Sequence, residues 1–217
     1  MSEEAPDRWS AEFWDERYAA SQRIWSGQPN ARLVEHAADL APGTALDVGC
    51  GEGADAVWLA RRGWQVTGVD VSGVALERAA QHAAEEGVAE RCTWRRVDLL
   101  AGGDEVPAAD LVTVHFLHLP EQHFVRVYAA LAAAVRPGGT LLVGAHHPAD
   151  AAAGLRNPEL ARLLFGPEQV TALLDPADWD VRVADAPTRR VRDAEGREAV
   201  ATDTVVVAVR RGEPSPG

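Results

Sequence analysis

Short apolar runs alternate with amphipathic stretches through the middle of the chain. The runs are rich in Val, Leu and Ala and have the length of strands, which predicts strands at residues 44–48, 65–69, 93–97, 111–115 and 140–144. Between them the apolar period is helical and ends at a glycine or a Pro-Gly pair, which predicts helices at residues 54–62, 73–86 and 121–135. This alternation predicts an α/β fold of βαβ units, with a mostly parallel sheet covered on both faces.

The segment before the first strand has a different pattern. Ser10 precedes an amphipathic stretch at residues 10–20, and Asn30 precedes a second one that runs to about residue 40. Both residue types are favoured as helix N-caps, because their side-chain oxygens accept backbone N–H groups of the first turn. Residues 1–43 are therefore interpreted as a helical cap or lid segment.

The segment after the last predicted strand is also different. Residues 148–166 are rich in Ala and irregular, which suggests a pocket wall or lid, and Pro167 opens a short helix to residue 174. Two β-rich stretches at 181–191 and 202–210 are interpreted as an antiparallel hairpin added to one sheet edge. The predicted division is a cap segment, an α/β domain and a flexible tail: 1–43, 44–211 and 212–217.

Composition and charge exclude several classes of function. The chain has 217 residues, with 33 acidic and 21 basic side chains and a net charge of −12, so nucleic acid and anionic membranes are poor partners. It contains no Lys, which excludes Schiff-base chemistry and a phosphate-loop lysine. Two cysteines do not form a disulfide scaffold, and neither a signal peptide nor an apolar run of about 18 residues is present. We expect a cytoplasmic protein with neither a nucleic-acid nor a membrane partner.

A glycine-rich turn carries the strongest chemical signal. The run Leu46–Gly53 lies where the first strand turns into the first following helix. Glycines allow a tight turn and a close approach of the backbone to a ligand, and ligands of open α/β sheets bind at the carboxyl ends of the strands. Gly49, Gly51 and Ala54 also satisfy the dinucleotide pattern G-x-G-x-x-A, so an NAD(P)-dependent oxidoreductase is an alternative interpretation.

Two carboxylates follow the next two strands. Asp70 ends the second strand, about 20 residues after the glycines, where an acidic side chain can bind both ribose hydroxyls of a nucleotide. Asp98 ends the third strand, where it can accept a hydrogen bond from an adenine amino group. For Asp98 an ordinary role in a turn is an equally good interpretation, since Asp is common in turns.

Together these motifs resemble the class I S-adenosylmethionine-dependent methyltransferases over residues 44–145. The glycine-rich turn resembles the family's cofactor loop, Asp70 its ribose-binding acid, Asp98-Leu99 its adenine-binding pair, and the Pro-Gly-Gly turn at 137–139 the turn before its fifth strand. The resemblance implies a Rossmann-like, doubly wound sheet of seven strands with an antiparallel terminal hairpin. It also implies S-adenosyl-L-methionine as cofactor, bound among others by Asp47, Gly49, Cys50, Gly51, Asp70, Val71, Asp98, Leu99 and His115.

The N-terminal segment resembles a narrower group, the thiopurine and tellurite-resistance type of small-molecule methyltransferases. The resemblance covers 13–18 and 24–30. It implies that the segment folds over the methionine end of the cofactor. Ring faces attract cations, so Tyr18 and Trp25 are placed near the sulfonium, and Arg17 near the cofactor's carboxylate.

Histidines cluster after the fourth and fifth predicted strands. His118, His146 and His147 are the candidate catalytic residues, because a neutral histidine on the acceptor side can act as a general base. A metal site made of these histidines alone is disfavoured, since no carboxylate or Cys accompanies them.

The sequence thus predicts an S-adenosylmethionine-dependent methyltransferase that acts on a small molecule, as a monomer or homodimer. A heteroatom acceptor is expected, with sulfur or another chalcogen first and nitrogen or oxygen second. Besides the oxidoreductase, a non-catalytic cofactor-binding protein is an open alternative.

Overall fold

The computed structural model describes residues 8–21, 23–102, 106–193 and 195–212. The chain divides into two compact units, Met1–Pro107 and Ala108–Gly217. This division differs from the predicted boundaries at 43/44 and 211/212, which stay predictions. The flexibility of the tail also stays a prediction, because residues 213–217 lie outside the described residues.

The first unit contains three parallel strands and the helices that connect them. Its elements are α1 (Ala11–Ala19), α2 (Ala31–Ala37), β1 (Thr44–Val48), α3 (Ala54–Arg61), β2 (Gln65–Asp70), α4 (Gly73–Glu85), a 3-10 turn (Ala89–Arg91) and β3 (Cys92–Arg96). β2 pairs with both β1 and β3 in parallel register. The predicted strands and helices therefore exist, and their boundaries differ from the predicted ones by at most three residues.

The helix starts of this unit follow from side-chain caps. The Ser10 hydroxyl accepts the Phe13 N–H at 3.1 Å, and the Asn30 side chain accepts the Arg32 N–H at 2.8 Å. Each bond satisfies a backbone donor that a helix leaves without an internal partner. The two N-caps expected from the sequence are thus confirmed.

The second unit is a mixed parallel and antiparallel assembly. Its elements are β4 (Ala109–His115), α5 (Glu121–Ala133), β5 (Val135–His146), α6 (Pro148–Ala152), α7 (Pro158–Ala161), α8 (Pro167–Thr171), β6 (Trp179–Asp185), β7 (Thr188–Arg192) and β8 (Glu198–Arg210). β4 and β5 are parallel, whereas β8 is antiparallel to β5, β6 and β7. The fold is α/β and Rossmann-like, with a mostly parallel sheet, as predicted.

The C-terminal half differs from the sequence expectation in three places. The β-rich stretch predicted at 181–191 is split into β6 and β7, because Pro187 between them has no N–H to donate to a neighbouring strand. The described residues therefore form eight strands rather than the seven expected. Residues 148–166, expected to be irregular, contain α6 and α7. β5 begins at Val135 rather than Thr140, with a register shift that places residues 136–139 in a bulge.

None of the helices in the described ranges is long and apolar enough to cross a membrane.

Gly68 in β2 lies in close contact with side chains of the first unit. A Cβ there would lie 2.5 Å from a Trp94 ring carbon and 3.0 Å from the Cys50 Sγ. We expect Gly68→Ala to lower the free energy of unfolding by about 2 kcal/mol, because overpacking forces the ring and the strand apart. The measurement is the urea midpoint by circular dichroism.

The matched control is Gly73→Ala at the start of α4. A Cβ at Gly73 would meet open space within 4 Å, so this change should leave the stability unchanged or raise it by up to about 1 kcal/mol. Equal destabilisation by both substitutions would contradict the packing argument.

Candidate cofactor and acceptor sites

The turn from β1 to α3 has an unusual backbone that only glycine adopts easily. Gly49, Gly51 and Gly53 have φ values of 68°, 51° and 80°, all in the left-handed region. The N–H groups of Gly49 and Cys50 both donate to the Val69 carbonyl, at 2.9 and 3.0 Å, which fixes the turn to the end of β2. The three glycines singled out by the sequence thus shape one rigid loop.

Asp70 lies at the end of β2 beside this loop. One carboxylate oxygen accepts the Gly51 N–H at 2.9 Å and the other accepts the Ser72 N–H at 2.9 Å. Burial raises the pKa of Asp70, although these backbone N–H groups act in the opposite direction. The structure therefore brings the predicted ribose acid and the glycine loop together.

Two polar side chains at the start of the turn differ in exposure, since Asp47 is buried and Cys50 is half-buried. Asp47 in β1 is 2% exposed. Burial, followed by the nearby carboxylates of Asp47 and Asp70, raises the pKa of the Cys50 thiol well above its ordinary value. Cys50 is consequently protonated at neutral pH, and it is a packing residue of the loop rather than a nucleophile.

Two aromatic side chains of the N-terminal segment lie against the loop. The Trp25 Nε1–H donates to the Tyr18 hydroxyl at 3.0 Å, and a Cβ on Gly51 would lie 2.8 Å from that hydroxyl. Tyr18 is buried, whereas Trp25 is 49% exposed. The structure therefore places both residues beside the glycine loop, and their predicted position near the sulfonium of the cofactor stays a prediction.

Acidic side chains that sequence reasoning missed attach this segment to the loop. Glu52 accepts the N–H groups of Ile24 and Trp25, at 3.3 and 3.2 Å, and pairs with Arg78 at 3.0 Å. The sequence analysis noted Glu52 only as part of the glycine motif, and nothing in the sequence indicates that its partners lie 27 and 28 residues upstream and 26 residues downstream.

Two further carboxylates act in the same way. Asp15 in α1 accepts from the Ser72 hydroxyl at 2.6 Å, at the start of α4, and Asp55 in α3 accepts the Asn30 N–H at 2.6 Å. Together with Glu52 they attach the cap segment to the rest of the first unit, because they accept hydrogen bonds from backbone N–H groups and a hydroxyl.

The remaining predicted cofactor residues are placed as follows. One oxygen of Asp98 accepts the N–H groups of Leu100 and Ala101, at 2.8 and 3.2 Å, which is the turn role that the sequence left open. Leu99 follows it, and the Val71 carbonyl accepts from the Arg96 side chain at 3.0 Å. The cofactor roles of these residues stay predictions.

Arg17 is exposed and its guanidinium lies 5.8 Å from the centre of the Trp14 ring. This arrangement gives Arg17 a cation–π role on the surface of α1. The predicted pairing of Arg17 with the cofactor's carboxylate stays a prediction.

In the second unit, His115 ends β4 and packs against a glycine of β5. A Cβ on Gly144 would lie 2.6 Å from the ring of His115, so only glycine leaves room for it. The next residue, Phe116, has a left-handed φ of 54°, which is strained for an aromatic residue and was missed by the sequence analysis. Phe116 lies at the surface and is 38% exposed.

His118 and His146 form a stacked pair. Their ring centroids are 5.3 Å apart with an interplanar angle of 14°. Burial, followed by the charge of Arg156, lowers the pKa of His118 to about 4 and that of His146 to about 3. Both are neutral at physiological pH but too weakly basic for an effective general base, which counts against that predicted role.

His147 has a structural role. Its Nδ1 accepts the Ala149 N–H at 3.2 Å and so caps α6, a use that the sequence analysis did not foresee. Its predicted place among the catalytic residues has no support from this geometry. Among the described residues, no group of three or more His, Cys, Asp or Glu is arranged to hold a metal ion.

Comparison with known proteins agrees with this arrangement. Residues 45–139 match a family described as a methyltransferase domain. Over 165 residues the chain is 31% identical to the ubiquinone biosynthesis O-methyltransferase of Acinetobacter baylyi, a match that covers 74% of this chain and 65% of that protein. The chain spans 39–65% of the length of the ubiquinone biosynthesis O-methyltransferases that it matches.

Solved structures show the same fold at lower identity. A structure described as "Conversion of a Disulfide Bond into a Thioacetal Group during Echinomycin Biosynthesis" superposes with a TM-score of 0.73 at 22% identity, over 94% of this chain and 93% of that one. The N-methyltransferase NodS of Bradyrhizobium japonicum WM9, in complex with S-adenosyl-L-homocysteine, superposes with a TM-score of 0.67 at 19% identity, over 94% and 100% of the two chains.

The attachment of the cap segment by Glu52 can be tested by limited proteolysis. We expect Glu52→Gln to speed tryptic cleavage after Arg23 by about tenfold, because the charge-assisted bonds to the Ile24 and Trp25 N–H groups are lost. Glu35→Gln is the matched control, since the Glu35 side chain is 53% exposed. Equal cleavage rates in the two variants would rule out the attachment.

The lowered pKa values of His118 and His146 predict a specific dependence on pH. The unfolded chain, with a histidine pKa near 6.5, binds more protons than the folded chain, so the free energy of unfolding should fall as the pH is lowered from about 6.5 to about 4. His146→Phe should make this decline less steep. The measurement is urea unfolding at several pH values, and an unchanged slope would contradict the assignment.

Proposed function

We propose that this chain, which belongs to the class I S-adenosylmethionine-dependent methyltransferases, transfers a methyl group from S-adenosylmethionine to an oxygen atom of a small molecule. The observation that carries the proposal is the pairing of Asp70 with the left-handed glycine loop. It places a desolvated carboxylate and a closely approachable backbone together at the carboxyl ends of β1 and β2, where this fold binds nucleotides.

The residues of the first unit fit the cofactor. A carboxylate has about four acceptor positions, and the two backbone bonds to Asp70 use one position on each oxygen. Each oxygen can therefore accept a ribose hydroxyl as well. Such donors would favour the charged form that burial disfavours, so the raised pKa of Asp70 suits a site completed by its ligand.

The aromatic pair fits the other end of the cofactor. S-adenosylmethionine supplies a methyl group on a positively charged sulfur, with a thioether as leaving group. Trp25 and Tyr18 present aromatic rings beside Gly51, and ring faces attract such a cation. Methyl transfer is an in-line displacement, and holding the cofactor in a fixed orientation favours it.

The choice of oxygen as acceptor is supported by the relatives. Two curated relatives, which match 45% and 74% of this chain, are named ubiquinone biosynthesis O-methyltransferases. The expectation of a sulfur or chalcogen acceptor came from the N-terminal segment alone, which is a fold-level analogy. We therefore rank oxygen first among the possible acceptor atoms. A thiol and an amine are included as further acceptors in the experiment.

The function is tested by cofactor binding in Asp70→Asn. We expect the affinity for S-adenosylhomocysteine to fall about 100-fold, because hydrogen bonds to a charged acceptor contribute about 1.5–3 kcal/mol. Asp39→Asn, at an exposed position of the same unit, is the control and should bind normally. Isothermal titration calorimetry measures both, with circular dichroism as a check of folding.

Binding and methylation assays on the wild-type protein distinguish the alternative functions. Binding of NADH but not of S-adenosylhomocysteine would overturn the proposal in favour of the oxidoreductase. Cofactor binding without methylation of any phenol, thiol or amine in a panel assayed by mass spectrometry would favour the non-catalytic binding protein. Methylation of a thiol alone would restore the chalcogen interpretation.

A further inference from the structure

Glu52, Arg78 and Trp25 belong to one polar network of the first unit. One oxygen of Glu52 accepts from the Arg78 Nη1 at 3.0 Å. The other oxygen accepts the Ile24 and Trp25 N–H groups, at 3.3 and 3.2 Å. The Arg78 Nη2 donates to the Ser21 carbonyl at 2.6 Å. We refer to Glu52 and Arg78 as the latch pair, because together they bind the cap segment at Ser21 and at Trp25.

The guanidinium of Arg78 fixes its two partners relative to each other. It is planar and presents its N–H donors as a rigid fork, so the Glu52 carboxylate and the Ser21 carbonyl are held at a constant separation. The side chains of Arg78 and Glu52 are only 25% and 13% exposed. Water and salt therefore weaken this pair less than they weaken an ion pair on the surface.

The latch pair is attached to α4, the helix that follows Asp70. Arg78 and His82 are four residues apart and lie on one side of this helix. The His82 Nδ1 donates to the Glu52 carbonyl at 3.4 Å, since a carbonyl can only accept. Ser72 caps the start of the same helix, and its N–H donates to Asp70 at 2.9 Å. One helix therefore holds both the predicted ribose acid and the latch pair.

The position of Trp25 depends on polar bonds more than on packing. Its side chain is a large ring, yet Trp25 is 49% exposed. Its backbone N–H donates to Glu52, and its indole Nε1–H donates to the Tyr18 hydroxyl at 3.0 Å. A Cβ on Gly51 would lie 3.4 Å from the indole Nε1 and 2.8 Å from the Tyr18 hydroxyl. These two bonds thus hold the ring beside the glycine loop.

We propose that the latch pair sets Trp25 and Tyr18 against Gly51, and that this position raises the affinity for the cationic cofactor relative to its uncharged, demethylated product. This inference rests on the proposed function and assigns residues that determine specificity at its cofactor site. Methyl transfer removes the positive charge on sulfur and leaves the rest of the cofactor unchanged. A ring face beside the sulfur attracts the cation and gains little from the thioether. Glu52 and Arg78 are positioning residues, because they act through Trp25.

The test removes both charges of the latch pair together. Loss of one charge alone would change the local potential as well as the position of Trp25, and the potential by itself affects a cation. We expect Glu52→Gln/Arg78→Met to bind S-adenosylmethionine about fivefold more weakly, the size of one cation–π contact. The affinity for S-adenosylhomocysteine should remain as in the wild type. Isothermal titration calorimetry measures both affinities, with circular dichroism as a check of folding.

The matched control is a second ion pair of the same unit. Arg61 at the end of α3 pairs with Glu86, the C-cap of α4, at 2.7 Å. Arg61→Met/Glu86→Gln also leaves the net charge unchanged. It should retain the wild-type affinity for both ligands, since it leaves the bonds of Glu52 and Arg78 in place.

A further variant shows whether the latch pair acts through Trp25. Trp25→Leu removes the ring and keeps the backbone N–H that Glu52 accepts, so it should lower the relative affinity for S-adenosylmethionine by the same factor of about five. Substitution of the latch pair in this background should lower it no further, because changes that act on one interaction are not additive. An additional fivefold loss would overturn the inference.

Arg78→Lys covers the case in which the double variant fails to fold. It keeps the positive charge beside Glu52 but lacks the rigid fork that also reaches Ser21. It should therefore lower the relative affinity for S-adenosylmethionine in the same direction, with an unchanged net charge.

The outcomes separate this inference from the proposed function. An unchanged ratio of the two affinities in the folded Glu52→Gln/Arg78→Met variant, or in Arg78→Lys, would overturn the inference and leave the proposed function standing. Equal weakening of both ligands counts as such an unchanged ratio, because a purely structural role produces it. Failure of the wild-type chain to bind either ligand would overturn the proposed function and this inference with it.

Discussion

The left-handed backbone at Gly49, Gly51 and Gly53 is the constraint on which the first unit depends. Because these residues lack a Cβ, the Gly51 N–H can reach Asp70 and the Tyr18 hydroxyl can lie against the loop. The loop in turn presents backbone rather than side chains at the end of the parallel strands. The close contacts and the hydrogen bonds of the loop therefore have one common origin.

The acidic composition of the chain has a structural use in this unit. Glu52, Asp15 and Asp55 each accept hydrogen bonds from backbone N–H groups, and so help to attach the cap segment. Such charge-assisted bonds are strong and directional but are few in number. A segment held in this way can be ordered over the cofactor loop and still open locally at low free-energy cost.

The histidines of the second unit show how environment overrides residue type. Histidine is the usual candidate for a general base near neutral pH, yet burial and Arg156 hold the pKa values of His118 and His146 far below that range. Their neutral rings are suited to stacking and to donating a hydrogen bond.

The alternation of strands and helices, the glycine loop and Asp70 were determined by the sequence itself, because each rests on local periodicity or on a short-range motif. The partners of Glu52 and Asp15 were decided only by the tertiary structure, since they lie 27 to 59 residues apart along the chain. The left-handed Phe116 and the capping role of His147 were likewise invisible in the sequence. Hydrogen-bond partners and pKa values depend on three-dimensional neighbours and burial, which no local pattern of residues encodes.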